Sequence, residues 1–430
     1  MESGFGNSVW ASLTQKTSQH IGGASLSPFS GNRVIAAAFL IFLGTMGSNT
    51  AFGVFFKPML NDFGWTKALT SGAFSLLWII HGVAGIAMGR FNDRFGSHGI
   101  ITISGLLLAS GYLLMSQARA VWHLYLFYGV IIGIGMSGIW VPTMSTIARL
   151  FGERRSIVTA IVMVGGGIGT LVAPPVSNGL ISLFAWRTAY AILGCLVFFF
   201  VVVPAQFLRN LRPHMDAASP GQYEKAQNKP RPGGKHFCLK EAIGTRPFWL
   251  STGMIFWFGF SSYVVLVHVV PYMTEMGISP PTAANILAVV GGFTGLSRIV
   301  LGSASNRIGN RQVFIIGFVM VSAASFWLLL AKQEWELYLF GAVFGFGLGS
   351  GVSHSPLIAE LFGLTSHGLI LGVSILGFSL GCAAGPFVAG YLFDVTGDYQ
   401  LAFLVCAVSG LIGLVCAGLI SYPGQIDSRC

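Results

Sequence analysis

Charged side chains are scarce in this chain: only 9% of its 430 residues are Asp, Glu, Lys or Arg. A soluble domain carries roughly 25% charged residues because its surface must face water. With 53% hydrophobic residues and a mean hydropathy of +0.73, the chain cannot hide its apolar side chains inside one aqueous globule. The scarcity of charge therefore excludes a soluble globular protein and predicts an all-α membrane protein in a lipid bilayer.

Signatures of enzymes and cofactor sites are also missing. The sequence has no H-E-x-x-H pair, no P-loop and no Ser/His/Asp set that its spacing supports. The six cysteines are scattered without metal-like spacing, so we interpret them as apolar fillers rather than metal ligands or disulfides. We therefore expect no enzyme activity, no metal and no cofactor.

The first 32 residues lack the apolar core of a cleavable signal peptide. Residues 1–32 are polar and rich in Gly and Ser, which predicts a flexible cytoplasmic tail. A membrane sensor is disfavoured because such a protein normally carries a folded signalling domain, and the polar segments of this chain are too short for one.

Long apolar runs are what the chain has in abundance. A helix needs about 20 apolar residues to cross the roughly 30 Å hydrocarbon layer. Twelve such runs predict twelve transmembrane helices. Their approximate bounds are 34–56, 70–91, 100–118, 121–146, 156–178, 186–208, 248–273, 281–302, 312–331, 335–359, 368–392 and 399–421.

The runs fall into two sets of six. The polar, proline-containing segment 209–247 predicts a cytoplasmic linker between an N-terminal six-helix bundle (33–208) and a C-terminal one (248–422). A short cytoplasmic tail (423–430) follows. The expected fold therefore has two six-helix bundles.

The basic residues predict the orientation in the membrane. If the N-terminus is cytoplasmic, the cytoplasmic segments hold 18 of the 24 Lys and Arg residues and the outside loops hold five. Without the linker the bias is still ten to five. The positive-inside rule therefore places both termini in the cytoplasm. Topology explains the net charge of +10, and no nucleic-acid partner is predicted.

The two halves repeat one another at an offset of 212–214 residues, with segment 89–96 matching segment 302–309. Such a repeat predicts pseudo-symmetric bundles with a central site between them, which alternates its access by rocking, and it disfavours a channel. The other matching pairs are Gly129–Gly341, Gly133–Gly345, Gly135–Gly347, Pro142–Pro356, Gly169–Gly381 and Pro174–Pro386.

Arg298 is the only Lys or Arg inside the predicted hydrocarbon zone. A central charge costs roughly 2.5–3.5 kcal/mol even on permissive insertion scales. Its planar guanidinium matches a carboxylate through two parallel hydrogen bonds. Its position leaves two interpretations open: a ligand for a substrate carboxylate, or a side chain that snorkels toward the cytoplasmic face near Gly302.

Histidines in the spans are further candidates. His354 is the repeat equivalent of Trp140, and with Arg298 both lie about seven residues to the cytoplasmic side of their helix centres, in one layer. His354 is predicted either to donate a hydrogen bond to substrate or carry a proton, or to bond between helices as a neutral ring. His81, the repeat partner of Thr294, either faces the cavity or packs between helices.

Polar residues near mid-membrane need partners or water. Asn49 and Tyr263 lie at equivalent depths of the two halves, and Tyr263 either donates its hydroxyl to a carboxylate or bonds between helices. Tyr128 is a further candidate for substrate contact. His268, near the outer end of its helix, is predicted to be part of a gate or to face water.

Charged and polar residues at the cytoplasmic helix ends are predicted to couple the two halves rather than to bind substrate. They form contacts that bias the conformational equilibrium. These residues are Asp93, Arg94, Arg307, Asn306, Glu360 and Arg149.

Several segments resemble the major facilitator superfamily. Segment 89–96, Gly-x-x-x-Asp-Arg-x-Gly, resembles the loop motif between its second and third helices, although Ser97-His98 replaces the usual basic pair. Within the superfamily the chain resembles the monocarboxylate transporter and oxalate–formate antiporter group, over nearly all except the tail and linker. The matching stretches are Phe55-Phe56-Lys57-Pro58, Asp62-Phe63-Gly64-Trp65, Leu150-Phe151-Gly152-Glu153-Arg154-Arg155 with the glycines 165–169, and Arg298-Ile299-Val300-Leu301-Gly302.

The resemblance implies the major facilitator fold and Arg298 as the carboxylate ligand, but this sequence departs from the pattern. Thr50 stands where proton-coupled carriers have a lysine, and Thr294 stands where they have an acid. No Lys or Arg occurs between Gly368 and Tyr391, where the oxalate–formate antiporter has a second cation. One buried cation suits one carboxylate better than two.

We therefore predict a secondary active transporter of small monocarboxylates such as lactate or pyruvate, with proton cotransport. Exchange of organic anions, as in the oxalate–formate type, is the alternative, and dicarboxylates and larger or aromatic acids remain open as substrates. All fourteen acids lie in loops, tails or helix ends, so a proton would travel on histidine or with the anion. Short loops favour a bacterial inner membrane, and a monomer is expected.

Overall fold

The computed structural model describes residues 28–151, 155–209, 237–363 and 367–421. Most of the predicted N-terminal tail, most of the linker and most of the predicted C-terminal tail lie outside these ranges. The described part of the linker contains a one-turn helix, Leu239–Ile243.

The described residues form long helices, which we number α1–α12. Three of them, α1, α4 and α10, are given as their consecutive parts, and α6 includes the π-helical part Phe198–Val202. The helices are α1 (Pro28–Thr50 and Phe52–Phe63), α2 (Lys67–Phe95), α3 (Ser97–Met115), α4 (Val121–His123, Leu124–Ile132 and Gly133–Phe151), α5 (155–184), α6 (186–207), α7 (Arg246–Glu275), α8 (Pro280–Ile308), α9 (Asn310–Leu330), α10 (Glu334–Leu348, Gly349–Ser353 and His354–Phe362), α11 (His367–Thr396) and α12 (Gln400–Leu419).

Within the described ranges, eleven continuous apolar segments are long enough to cross a membrane. One of them, Ile161–Phe207, has 47 residues and is broken at Ala185, where a φ of 64° and a ψ of 162° change the direction of the chain. It therefore makes two crossings, α5 and α6. The twelve predicted transmembrane helices are thereby confirmed.

Packing in the second half repeats that of the first. α1 packs on α5 and α6, α2 packs on α4, and α3 packs on α4 and α6. Adding six to each number gives contacts that the second half makes: α7 on α11 and α12, α8 on α10, and α9 on α10 and α12. The halves meet where α2 contacts α11, α5 contacts α8, and α1 contacts α7. These equivalences confirm two pseudo-symmetric six-helix bundles.

The bundle has two ends that the site description needs. We call the end with the start of α1 and the end of α12 the terminal face. The opposite end, with the connections 64–66, 116–120, 276–279 and 397–399, is the loop face. The charge bias of the sequence predicts that the terminal face is cytoplasmic.

The repeated segments end at turns of the same geometry. Gly96 between α2 and α3 has a φ of 81°, and Gly309 between α8 and α9 has a φ of 90°. Residues with a β-carbon rarely adopt such angles, whereas glycine does so without strain. The positive φ of each turn therefore explains why both repeated segments end in glycine.

The predicted pair Gly169 and Gly381 marks equivalent helix crossings. A β-carbon at Gly169 of α5 would collide with the Leu43 carbonyl oxygen of α1. At Gly381 of α11 it would collide with the Phe256 carbonyl oxygen of α7. Small residues let membrane helices approach this closely and so hold each half together.

We expect Gly169→Ala and Gly381→Ala each to lower the free energy of unfolding by about 1–3 kcal/mol, because the added methyl group forces two helices apart. Thermal unfolding of the purified protein in detergent measures the effect as a lower Tm. Gly179→Ala and Gly372→Ala, on the same two helices, are matched controls, since a β-carbon there meets no atom within 4 Å. An equal Tm for all four variants would contradict close packing at these crossings.

Candidate functional site

Arg298 of α8 points across the centre of the protein toward α5 of the other half. Its Nη1 atom donates a hydrogen bond to the carbonyl oxygen of Met163, at 3.3 Å. Both residues lie between two and three turns from the terminal-face ends of their helices, so the guanidinium stays deep in the bundle. Among the described residues, no acidic side chain forms an ion pair with Arg298. The cation is therefore held by one neutral oxygen.

Two glycines bring α8 close enough to α5 for this contact. A β-carbon at Gly167 would lie 2.8 Å from the Cα atom of Gly295. Because neither residue has a side chain, the two backbones cross with little between them. Arg298, one turn beyond Gly295, can then reach the α5 backbone.

Tyr263 of α7 lies among aromatic rings from both halves. The two side chains interact electrostatically. The Tyr263 ring lies 4.7 Å from that of Trp78 on α2, 5.6 Å from that of Phe74 and 6.3 Å from that of Phe378 on α11, measured between centroids. We call Phe74, Trp78, Tyr263 and Phe378 the central aromatic cluster. It lies where three helices of both halves meet.

His81 adjoins this cluster through Trp78. The two rings are 4.9 Å apart and lie on one face of α2, three residues from each other. The Nδ1 atom of His81 and the Nε1 atom of Trp78 are both buried, and neither has a hydrogen-bond partner within the described ranges. Two hydrogen-bonding groups of α2 are thus left unpaired beside Tyr263.

Trp78 was missed by the sequence reasoning. A tryptophan in an apolar span gives the same signal whether it faces lipid, core or substrate. Its place one turn before His81 was the only pattern that could have marked it.

Tyr128 of α4 joins the cluster on its other side. Its ring lies 6.1 Å from Phe74 and 4.5 Å from Phe52 of α1. The hydroxyl is buried without a hydrogen-bond partner. Tyr128 also lies in the π-helical part of α4, Leu124–Ile132, a geometry that is frequent at functional sites.

The other candidates from the second half have partners within helix packing. The Nε2 atom of His354 lies 2.9 Å from the Ser374 hydroxyl of α11. This is the interhelical hydrogen bond that the sequence left as one of two interpretations. Thr294 donates to the carbonyl oxygens of Val290 and, on α10, Gly345, at 2.7 and 3.0 Å.

The candidates from the first half are held in a similar way. Asn49 of α1 is buried, and its Nδ2 atom lies 3.5 Å from the sulfur atom of Met136 on α4. The Trp140 ring packs at a tilt against that of Phe42 of α1, with ring centroids 5.0 Å apart. The structure therefore gathers Tyr263, His81 and Tyr128 around the central aromatic cluster, to which Arg298 is linked by its electrostatic interaction with Tyr263. Asn49 and Trp140 have other neighbours.

At the terminal face, one of the predicted coupling residues has a visible partner. Glu360 of α10 accepts a hydrogen bond from the Nδ2 atom of Asn310 at the start of α9, at 2.6 Å. Arg307 is exposed in the last turn of α8. The side chains of the remaining four lie outside the described part of the protein: Asp93, Arg94, Arg149 and Asn306.

At the loop face, the start of α2 is held by the other half. Asp394 of α11 accepts hydrogen bonds from the main-chain N–H groups of Lys67 and Ala68, at 3.0 and 2.8 Å. A carboxylate there caps free N–H groups and stabilises the positive end of the helix. The Lys67 side chain pairs with Glu275 of α7 and lies 3.0 Å from the ring centroid of Phe393. We call the contacts among Lys67, Glu275 and Asp394 the loop-face lock.

His268 lies buried behind this lock. Its Nε2 atom is 2.8 Å from the Pro386 carbonyl oxygen, and its Nδ1 atom is 3.1 Å from the Tyr399 hydroxyl. A carbonyl only accepts, so Nε2 carries the proton and Nδ1 accepts from Tyr399. The ring also packs against Phe56 of the other half, at 5.2 Å. The expectation that His268 faces water is wrong, whereas its position fits a gate.

The Asp62-Phe63-Gly64-Trp65 stretch joins two helices of the first half. Asp62 at the end of α1 accepts hydrogen bonds from Trp186 Nε1 and Arg187 Nη1 at the start of α6, at 3.1 and 2.6 Å. Gly64 makes the turn with a φ of 66°. These contacts explain the motif as a structural link between α1 and α6 rather than as a ligand site.

Two homologous six-helix halves around a single central cation define a polytopic membrane transporter. The family model described as "Major Facilitator Superfamily" matches residues 37–273 and 250–425. The chain belongs to this superfamily, whose members are membrane carriers rather than enzymes.

Its relatives include monocarboxylate transporters. Monocarboxylate transporter 12 of Mus musculus is 27% identical over 419 residues, which cover 90% of this chain and 84% of the relative. Monocarboxylate transporter 7 of Homo sapiens is 25% identical over 447 residues, covering 90% and 85%. The resemblance to the monocarboxylate transporter group is thereby confirmed.

A solved structure shows the same fold. It is that of a bacterial homologue of the human lysosomal transporter Spinster in an inward-facing and occupied conformation. The TM-score is 0.69 with 15% identity, over 92% of this chain and 97% of that chain. At this identity the likeness concerns the fold alone.

Proposed function

We propose that this chain is a secondary active transporter of small monocarboxylates such as lactate and pyruvate, with proton cotransport. One observation carries the proposal: Arg298 lies between the halves with a carbonyl oxygen as its hydrogen-bond partner and, among the described residues, no paired acid. A charge-assisted, two-pronged contact with a carboxylate is stronger than one 3.3 Å bond to a neutral oxygen. A substrate carboxylate therefore replaces the Met163 carbonyl. The names of the relatives support the same substrate class.

The substrate site is assigned around Arg298. Tyr263 and His81 contribute hydrogen bonds to the substrate, and the Tyr128 ring lines the aromatic side of the site. His354, Trp140, Asn49 and Thr294 shape the helices behind these groups. Because no Lys or Arg occurs between Gly368 and Tyr391, the site has one cation for one carboxylate, which disfavours a dianion.

The proposed mechanism is alternating access. The loop-face lock ties α2 to α7 and α11 of the other half, so it supports a state closed at that face. Opening requires the lock to part while the halves rock about the central site. An empty Arg298 is a desolvated cation that disfavours this motion, and a bound carboxylate neutralises it.

Proton coupling is assigned to the substrate or to His81. Among the described residues no acid is paired with Arg298, so a buried carboxylate does not carry the proton. His81 is the histidine that adjoins the central aromatic cluster, through the ring of Trp78.

The test is uptake of labelled L-lactate into proteoliposomes, with and without an inward proton gradient. We expect saturable uptake that the gradient stimulates. Saturable uptake without stimulation would favour exchange, which counterflow against an internal organic acid would reveal. Absence of flux with every monocarboxylate tested would overturn the proposed function.

We also propose that both termini face the cytoplasm, in a bacterial inner membrane, and that the chain acts as a monomer. Labelling of Cys430 with an impermeant maleimide, in a variant without the other cysteines, tests the orientation. Labelling only after permeabilisation is expected, and labelling of intact cells would contradict it.

A further inference from the structure

Among the residues that the structure describes, no group accepts a hydrogen bond from the indole N–H of Trp78. Its side chain is 4% exposed, and its Nε1 atom is buried without a hydrogen-bond partner. Most buried polar groups are paired, since an unpaired donor loses its contacts with water and gains none in return. The unpaired indole N–H therefore needs an explanation, and the groups that lie beside it provide one.

Other unpaired polar atoms lie beside it. The Nδ1 atom of His81 and the Oγ atom of Ser379 on α11 are also buried without partners. Ser379 faces α2 next to His81: a β-carbon at Gly82 would lie 3.0 Å from the Ser379 β-carbon. Three unpaired groups from α2 and α11 thus border the central aromatic cluster, where the two halves meet.

The rings of the cluster form an apolar surface beside these groups. Trp78 lies 4.7 Å from Tyr263 and 5.7 Å from Phe378, and both pairs are edge-to-face. Phe378 is partly exposed, whereas Trp78 is buried. An aromatic substrate ring placed there completes the offset arrangement that aromatic groups prefer.

Resting on the monocarboxylate function proposed above, we propose that the preferred substrate is an aryl 2-oxo or 2-hydroxy acid. Arg298 binds its carboxylate, the Trp78 N–H donates to the 2-oxygen, and the aryl ring stacks in the central aromatic cluster. A short aliphatic acid leaves the exposed part of Phe378 without a partner. An aryl acid without the 2-oxygen leaves the Trp78 donor unpaired.

The first test uses the wild-type protein and three competitors of labelled lactate counterflow: pyruvate, 3-phenylpropionate and phenylpyruvate. Phenylpyruvate has both the ring and the 2-oxygen, and each of the others lacks one. We expect phenylpyruvate to compete at concentrations roughly tenfold lower than either of the others. Equal competition by pyruvate and phenylpyruvate would overturn the aryl assignment.

The second test compares Trp78→Phe with the matched control Trp249→Phe. The first keeps an aromatic ring but removes the N–H, and the control removes an indole N–H at the surface, where it bonds the Ile243 carbonyl. For Trp78→Phe we expect the apparent affinity for phenylpyruvate to fall roughly five- to tenfold, with that for 3-phenylpropionate unchanged. The control leaves both unchanged.

The outcomes separate the two proposals. An equal loss for both aryl acids in Trp78→Phe would show that the residue acts only by packing and would overturn the hydrogen-bond assignment. Phe378→Leu is the second variant, expected to weaken the binding of both aryl acids more than that of pyruvate. If lactate is transported through Arg298 but no aryl acid competes, this inference fails alone. If no carboxylate is transported, both proposals fail.

Discussion

Arg298→Ala is expected to reduce uptake of labelled L-lactate roughly a hundredfold or more, since it removes the one cation that faces the substrate carboxylate. Arg298→Lys should keep part of the activity, because an ammonium group keeps the charge but cannot form the planar two-pronged contact. Initial uptake rates in proteoliposomes, over a range of lactate concentrations, measure both effects.

The stability of these variants provides a second readout. Among the described residues Arg298 has one hydrogen bond and no ion pair, so its removal leaves no acid unpaired. We therefore expect Arg298→Ala to unfold at a Tm equal to or above that of the wild type. Arg119→Ala, in the exposed connection between α3 and α4, is the matched control and should transport normally. Unaltered uptake by Arg298→Ala would remove Arg298 from the site.

Asp394→Ala is expected to open the loop face. The carboxylate caps two N–H groups of α2 from the other half, and loss of such a cap costs about 1–2 kcal/mol. Because only the closed state has this contact, the open population should rise about tenfold. The measurement is the labelling rate of Ser71→Cys by an impermeant maleimide, in a background without native cysteines. Ser71 is buried against Gly390 of α11 and becomes accessible when the halves part.

Asp398→Ala is the control for this experiment. Asp398 lies at the same face and also caps a helix, through the main-chain N–H of Gln400, but within one half. Its removal should leave the labelling rate of Ser71→Cys unchanged. Equal labelling in the wild type and in Asp394→Ala would show that the cap does not hold the loop face closed.

The predicted spans agree with the structure because length and apolarity are local properties. The window at 70–91 falls inside α2, and the window at 281–302 falls inside α8. The local geometry within spans was not predicted. The π-helical part of α4 and the 3₁₀ part of α10, Gly349–Ser353, depend on how their neighbours pack.

Arg298 was singled out from sequence because a cation in an apolar span is costly, whatever its surroundings. Trp78 was not, because burial and the lack of a partner for its Nε1 atom exist only in the folded bundle. The loop-face lock was missed for a related reason. Lys67 and Asp394 are 327 residues apart, and each alone resembles an ordinary charge at a helix end.

The sequence by itself determined that the chain lies in a lipid bilayer, that it crosses the membrane twelve times and that its two halves repeat. Hydropathy and glycine spacing reveal these features because they act through short stretches of chain. It also determined that one central cation is present. Only the tertiary structure decided which side chains share that centre. Tyr263, Trp78 and Phe378 come from three helices of two halves, and the contacts among them follow from helix packing rather than from spacing along the chain. Packing likewise paired Asp394 with the start of α2, because the two are far apart in the sequence and meet only where the halves contact each other.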